Sequence, residues 1–246
     1  MTLLGKNKGF GIQDFVTNGV ASSLQDHLAG SITICEPWFG EGSIILSRVS
    51  PAFKVRVIND QDRSLVAFFE MNRIDKDKLF ELVNSDDPSK NETAIAMLDG
   101  KSPFLESMTD VMHGIQGFFS CLKNLDIPRA TVVETTDSFV NTIHEIHCLL
   151  ESVLVENMPV DEIIPRFDKS YTTFFIPSSE ASALMDNHAL MSCFTTLKGR
   201  VLVQCNAASI EALETRFIAC SEDRLMLDFE LRGENDACYV GFKARV

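Results

Sequence analysis

The residues best suited to chemistry lie in three short stretches. In CEPWFGEG, residues 35–42, Gly40 and Gly42 let the backbone bend beneath a ligand where side chains cannot fit. The helix expected after that turn would offer its first amides to the same ligand. Asp60 ends the next apolar strand and is placed to accept hydrogen bonds from two ribose hydroxyls. A tight strand-to-helix turn without a ligand explains the glycines equally well, and Asp60 would also serve as the cap of a helix over residues 63–73. Taken together at this separation, the two features favour a nucleoside-type cofactor. The third stretch, TTFFIPSSEAS over residues 172–182, reads as a buried strand running into a Pro-Ser-Ser loop, with the acidic Glu180 beyond it. Strand ends are where α/β enzymes keep their chemistry, yet Pro177, Ser178 and Ser179 bring little of it.

HEIHC, residues 144–148, sets two histidines at i and i+3 beside a thiol. That spacing can turn both imidazoles to one helical face, but without a fourth ligand nearby or the H-E-x-x-H spacing no metal is expected. His113, His144, His147 and His188 are assigned to helix surfaces or loops. Seven cysteines without a C-x-x-C pair do not form a disulfide framework and are expected reduced and mostly buried.

The elements that must hold these residues follow from periodicity. SITICEPWFGEGSIILSRV is a short strand, a glycine turn and a helix start. FKVRVINDQDRSLVAFFEMNR is a strand over 54–58 followed by a helix with Leu65, Phe68 and Phe69 on its inner side. Residues 75–150 lose the β-alternation and read as an inserted helical region, with KDKLFELVNS and ESMTDVMHGIQGFFSCLKN as helices. Strand, helix and strand return in VLVENMPVDEIIPRFDKSYTTFFIPSS. LKGRVLVQCNAASIEALETRF repeats the pattern, with Gly199 as a helix-end signal before a strand over 200–204. RLMLDFELRGENDACYVGFKARV closes the chain as a hairpin. The expected architecture is one discontinuous α/β domain, residues 1–74 and 151–246, with a central mostly parallel sheet, a C-terminal antiparallel hairpin and a helical insert over 75–150.

Composition bounds the function. With 45% apolar residues the chain can bury a real core. No apolar run approaches the length of a membrane span, and the first residues lack a signal peptide's pattern. A soluble, cytoplasmic protein without membrane contact is expected. The net charge of −13, from 22 Lys and Arg against 35 Asp and Glu, argues against a broad phosphate-binding face.

CEPWFGEGSIIL followed by VINDQDRSLVAFFEMNR resembles the Dam-like class of DNA N6-adenine methyltransferases. Their first motif has the form E-P-F-x-G-x-G, and their second strand ends in N-D before a helix carrying L-x-x-F-F. VLVENMPVDEIIPRFDKSYTTFF and LKGRVLVQCN are similar to the segments flanking that family's catalytic loop. The resemblance covers most of the chain outside residues 75–150. It implies a Rossmann-like S-adenosylmethionine-dependent methyltransferase fold and cofactor contacts by Glu36, Pro37, Phe39, Gly40, Gly42 and Asp60. It also implies that the insert occupies the position of the target-recognition region.

The resemblance breaks at the catalytic motif. Where active members have D-P-P-Y, this chain has Pro177, Ser178, Ser179 and Glu180. The family's Asp carboxylate and the following carbonyl accept hydrogen bonds from the adenine amine and orient it, while the aromatic ring stacks on the flipped base. Here none of those side chains remains. Pro159 stands where the family often has Asp, and GKNKGFG is only loosely similar to its G-G-K entry. Residues 75–150 carry thirteen acidic against six basic residues, a poor grip on DNA. The expectation is a catalytically degenerate relative that acts as a binding or scaffold partner and possesses a possible S-adenosylmethionine pocket. Its partner would be an active methyltransferase or a basic nucleic-acid-binding protein, with DNA binding by this chain alone doubtful. The alternative is an active enzyme with a rearranged catalytic loop in which Glu180 or the serines replace the lost carboxylate.

Overall fold

The computed structural model describes residues 26–39, 53–83, 144, 147–220, 225–232 and 237–244. Four apolar segments, β1 (Thr33–Glu36), β2 (Val55–Asn59), β4 (Thr172–Ile176) and β5 (Arg200–Asn206), together with β3 (Val153–Glu156), pair in parallel. β6 (Leu225–Arg232) and β7 (Ala237–Ala244) form the antiparallel hairpin that the sequence suggests, its turn lying outside the described residues. The hairpin is folded back so that β7, not β6, meets β5, giving the order β3-β2-β1-β4-β5-β7-β6. The protein is therefore an α/β protein built on a mixed, mostly parallel sheet.

Every residue of β1 and β4 is buried, as a central parallel strand covered on both faces requires, and that burial takes in the polar Thr33, Glu36, Thr172 and Thr173. Alternate residues of the sheet, Cys35, Val57, Phe174, Ile176, Val201 and Val203, belong to one core cluster. Helices α2 (Val160–Phe167), α4 (His188–Thr195) and α5 (Ile210–Cys220) add Ile163, Ile164, Met191, Phe194, Leu213 and Phe217 to it. Phe217 stacks on Phe242 with ring centroids 4.5 Å apart. Outside that cluster, α1 (Arg63–Val83) buries Leu65, Phe68 and Phe69, as its spacing predicts, and also buries the polar Glu70 and Asn72. Arg73 donates to both Glu70 oxygens at 2.9 and 2.7 Å, so the carboxylate enters the interior with its counter-charge.

α1 has a non-helical residue at Asp75 and then continues to Val83, so KDKLFELV is helical as expected. The second helix expected in the insert lies outside the described residues. No described helix is long and apolar enough to cross a membrane.

Gly199 departs from its expected role. α4 ends at Thr195, so Gly199 does not stop a helix. A Cβ at this position would stand 2.4 Å from the Thr172 carbonyl oxygen and 2.8 Å from that of Lys169. Glycine is required there by close backbone approach, not by capping. The same corner is held by Asp168, whose Oδ1 accepts from the Lys198 and Gly199 amides at 2.9 and 3.1 Å. Asp168→Ala should cost about 1–2 kcal/mol in urea unfolding, the range for losing charge-assisted bonds at a partly exposed site.

Candidate functional site

The chain runs β1, β2, β3 outward on one side of the sheet and then returns to place β4 on the other side of β1. In open α/β sheets ligands bind outside the carboxyl ends of the strands at such a reversal, which here falls between β1 and β4. Glu36 ends β1 with Pro37 next, Asn59 ends β2 with Asp60 next, and Pro177 follows β4, so the sequence-selected residues that lie within the described segments gather at this one sheet end. Gly40 and Gly42 lie outside the described residues.

Asn59 ties the strand ends together. Its buried side-chain Nδ2 donates to the carbonyls of Pro37, 2.9 Å away after β1, and of Met158, 3.0 Å away after β3. Its Oδ1 accepts from the Met158 amide at 2.8 Å, and its own carbonyl accepts from the Phe39 amide at 2.9 Å. Asn157 adds a bond from its Nδ2 to the Asp60 carbonyl at 2.7 Å. The sequence marks Asn59 only as part of the N-D strand end, without a role of its own, and gives no signal for Asn157. The signal for Asn59 was an amide directly after an apolar strand, a place where a short side chain can satisfy the carbonyls that the ladder leaves open.

Asp60 is partly exposed at this rim, and its Oδ1 accepts from the Asp62 amide at 2.9 Å. The cap of α1 is Asp62, whose Oδ1 accepts from Ser64 at 2.9 Å and Leu65 at 3.4 Å; Asp60 orients that cap and is not the cap itself. Glu36 has no exposed surface, and Phe39 is 2% exposed with its ring edge-on to Phe69 at 4.7 Å. The Phe39 ring is thus a packing group, and its amide is already bound to the Asn59 carbonyl. Trp38 is partly buried and stacks towards Phe194, 6.3 Å between centroids, serving as core and rim together. Burial, then Glu36, then Glu156 push the Cys35 thiol up, which fixes it as a neutral packing group under an acidic rim. Glu156 is held by Arg166 at 3.2 Å.

The β4 end differs from the loop that its sequence suggests. Helix α3 (Ser178–Asp186) starts directly after Pro177, and the Pro177 carbonyl accepts from the Glu180 and Ala181 amides at 3.0 and 3.1 Å. Ser178, Ser179 and Glu180 are thus the first helical turn. Such a turn presents amide donors and the positive end of the helix dipole. An amine that must be steered by acceptors meets the opposite polarity here.

The histidine stretch has a structural use: the Nδ1–H of His147 donates to the Asn72 carbonyl at 2.6 Å. Cys148 Sγ lies 3.9 Å from His144 Nε2. Among the described residues no three His, Cys, Asp or Glu side chains come together as a metal site. No family model matches the chain, and no curated protein matches it.

Proposed function

We propose that this chain is a non-catalytic relative of the Dam-like DNA N6-adenine methyltransferases, a binding or scaffold protein that keeps the nucleoside end of the site and has lost the amine-steering end. One observation carries the reading: α3 begins at Ser178, so the residue that follows the lost carboxylate position has its carbonyl turned along a helix axis toward a later amide. Both acceptors are then missing, the side chain by substitution and the backbone by helix formation. A Rossmann-like methyltransferase fold is supported by the parallel β1–β5 core, the reversed β7 and the strand-order reversal at β1 and β4.

S-adenosylmethionine, when bound, supplies an electron-poor methyl carbon. The residues present fit the ribose of its nucleoside half: Asp60 offers a partly exposed carboxylate suited to hydroxyl donors. Asn59 holds the stretch after β1 and the β3 end in fixed relation. The protein's charge of −13 favours a basic protein partner over DNA, because like charges on phosphate and surface repel. An active methyltransferase or a basic nucleic-acid-binding protein suits it.

A second reading, an active enzyme with a rearranged site, draws on Glu180, a partly exposed carboxylate in the first turn of α3. Labelled S-adenosylmethionine offered with varied DNA sequences and salt separates the two. The expected result is no label in DNA, with a rise in melting temperature on adding S-adenosylmethionine or its demethylated product. Ligand at a hundred times its Kd adds about 2.7 kcal/mol to native stability. DNA labelling that disappears in Glu180→Ala would overturn the non-catalytic reading. Absence of any melting shift would remove the cofactor from it. Pro177→Asp alone should not create activity, since the backbone carbonyl remains inside the helix.

A further inference from the structure

β5 and β7 bring two cysteines directly opposite each other. Cys205 pairs with Cys238 in the antiparallel register. Opposed residues of such a ladder stand about 5.5 Å apart at Cα in a hydrogen-bonded pair and about 4.5 Å in the other kind. Both values fall in the roughly 4.4–6.8 Å window that a disulfide spans. Their side chains also share a face: Val201, Val203 and Cys205 oppose Phe242, Val240 and Cys238, and all six belong to one core cluster. Among the strand registers described, this is the one place where two thiols oppose each other.

We propose that Cys205 and Cys238 form a reversible cross-strand dithiol–disulfide pair, a redox-sensitive latch at the carboxyl end of β5. The oxidant is a low-molecular-weight disulfide such as oxidised glutathione. One cysteine loses its proton and attacks a glutathione sulfur, breaking that S–S bond and releasing one glutathione thiol. The second cysteine loses its proton, attacks the protein-side sulfur of the mixed disulfide and expels the second glutathione. Two protein thiols are oxidised, one glutathione disulfide is reduced to two thiols, and no other reactant is needed.

The closed strands protect the pair. Cys205 is 4% exposed and Cys238 1%. Burial, followed by the neighbouring Cys238 and Glu230, pushes the Cys205 thiol up to about 11, so the closed form is a weak nucleophile. Only the Asn206–Ala237 pair separates the cysteines from the end of the ladder, so opening that end suffices to admit an oxidant. Oxidation is therefore slow and limited by opening, and the bond once made pins β7 to β5 beside the strand ends that carry the candidate site.

The full chain is incubated natively in glutathione redox buffers, then alkylated, digested and mapped by mass spectrometry without reduction. A peptide pair joining Cys205 to Cys238, lighter by two hydrogens, is expected. It should disappear on adding dithiothreitol and be absent in both Cys205→Ser and Cys238→Ser. Both thiols remaining fully alkylatable in the most oxidising buffer would overturn the proposal, as would either cysteine joining a different one. The wild-type map decides the matter even if a serine variant folds poorly.

Discussion

Asn59→Ala should lower the unfolding free energy by about 3–5 kcal/mol, read from urea denaturation, since three hydrogen bonds are lost and each buried group left unpaired costs roughly 1–3 kcal/mol. The groups abandoned are the Pro37 carbonyl, the Met158 carbonyl and the Met158 amide. Asn59 has no exposed surface, which makes rehydration of those groups difficult without local opening. Asn59→Asp retains the acceptor but removes the donor and adds a buried charge, and should be at least as damaging. The loss should extend to the site itself. With the ends of β1 and β3 no longer tied, any stabilisation by S-adenosylmethionine should fall more than the urea midpoint alone predicts. A cost below 1 kcal/mol would mean that water replaces the amide and that the strand ends are not held this way.

Gly199→Ala should cost about 3 kcal/mol, at the upper end of what overpacking does, because the atoms met by the new methyl are backbone. Thr172 O at 2.4 Å and Lys169 O at 2.8 Å cannot rotate aside, and Thr172 opens β4. The comparison is Gly30→Ala, where φ is +91° and no atom lies within 4 Å of the added carbon. Backbone strain alone should cost that variant about 1–2 kcal/mol. Equal losses at the two positions would show that the β4–β5 corner relaxes, and the close approach would then not explain the glycine.

Much of the α/β frame was legible because central strands announce themselves. TICE, VRVIN, TTFFI and RVLVQCN are apolar or alternating runs bounded by turns, and Arg63 onward carries helical spacing. What the sequence hid was spatial. An Asn at a strand end looks the same whether its amide faces water or three backbone groups. Gly199 looked like a helix stop because helix-end glycines are common, whereas its neighbours in space lie about thirty residues away in sequence. The Pro-Ser-Ser stretch looked like a loop because proline and serine are frequent there, but proline just before a helix and serine in its first turn are equally ordinary. The gathering of Glu36, Asp60 and Pro177 at one sheet end followed from strand order, which no local pattern encodes.

α1 starts immediately after the β2 end and continues past Asp75, the boundary at which the inserted region begins in sequence. Leu79, on the far side of that boundary, and Leu150, at its return, both have no exposed surface. Splicing residue 74 to residue 151 would therefore amputate two interior anchors along with the helical stretch that follows the kink at Asp75. The two roots of this excursion are part of the foundation on which the rest stands.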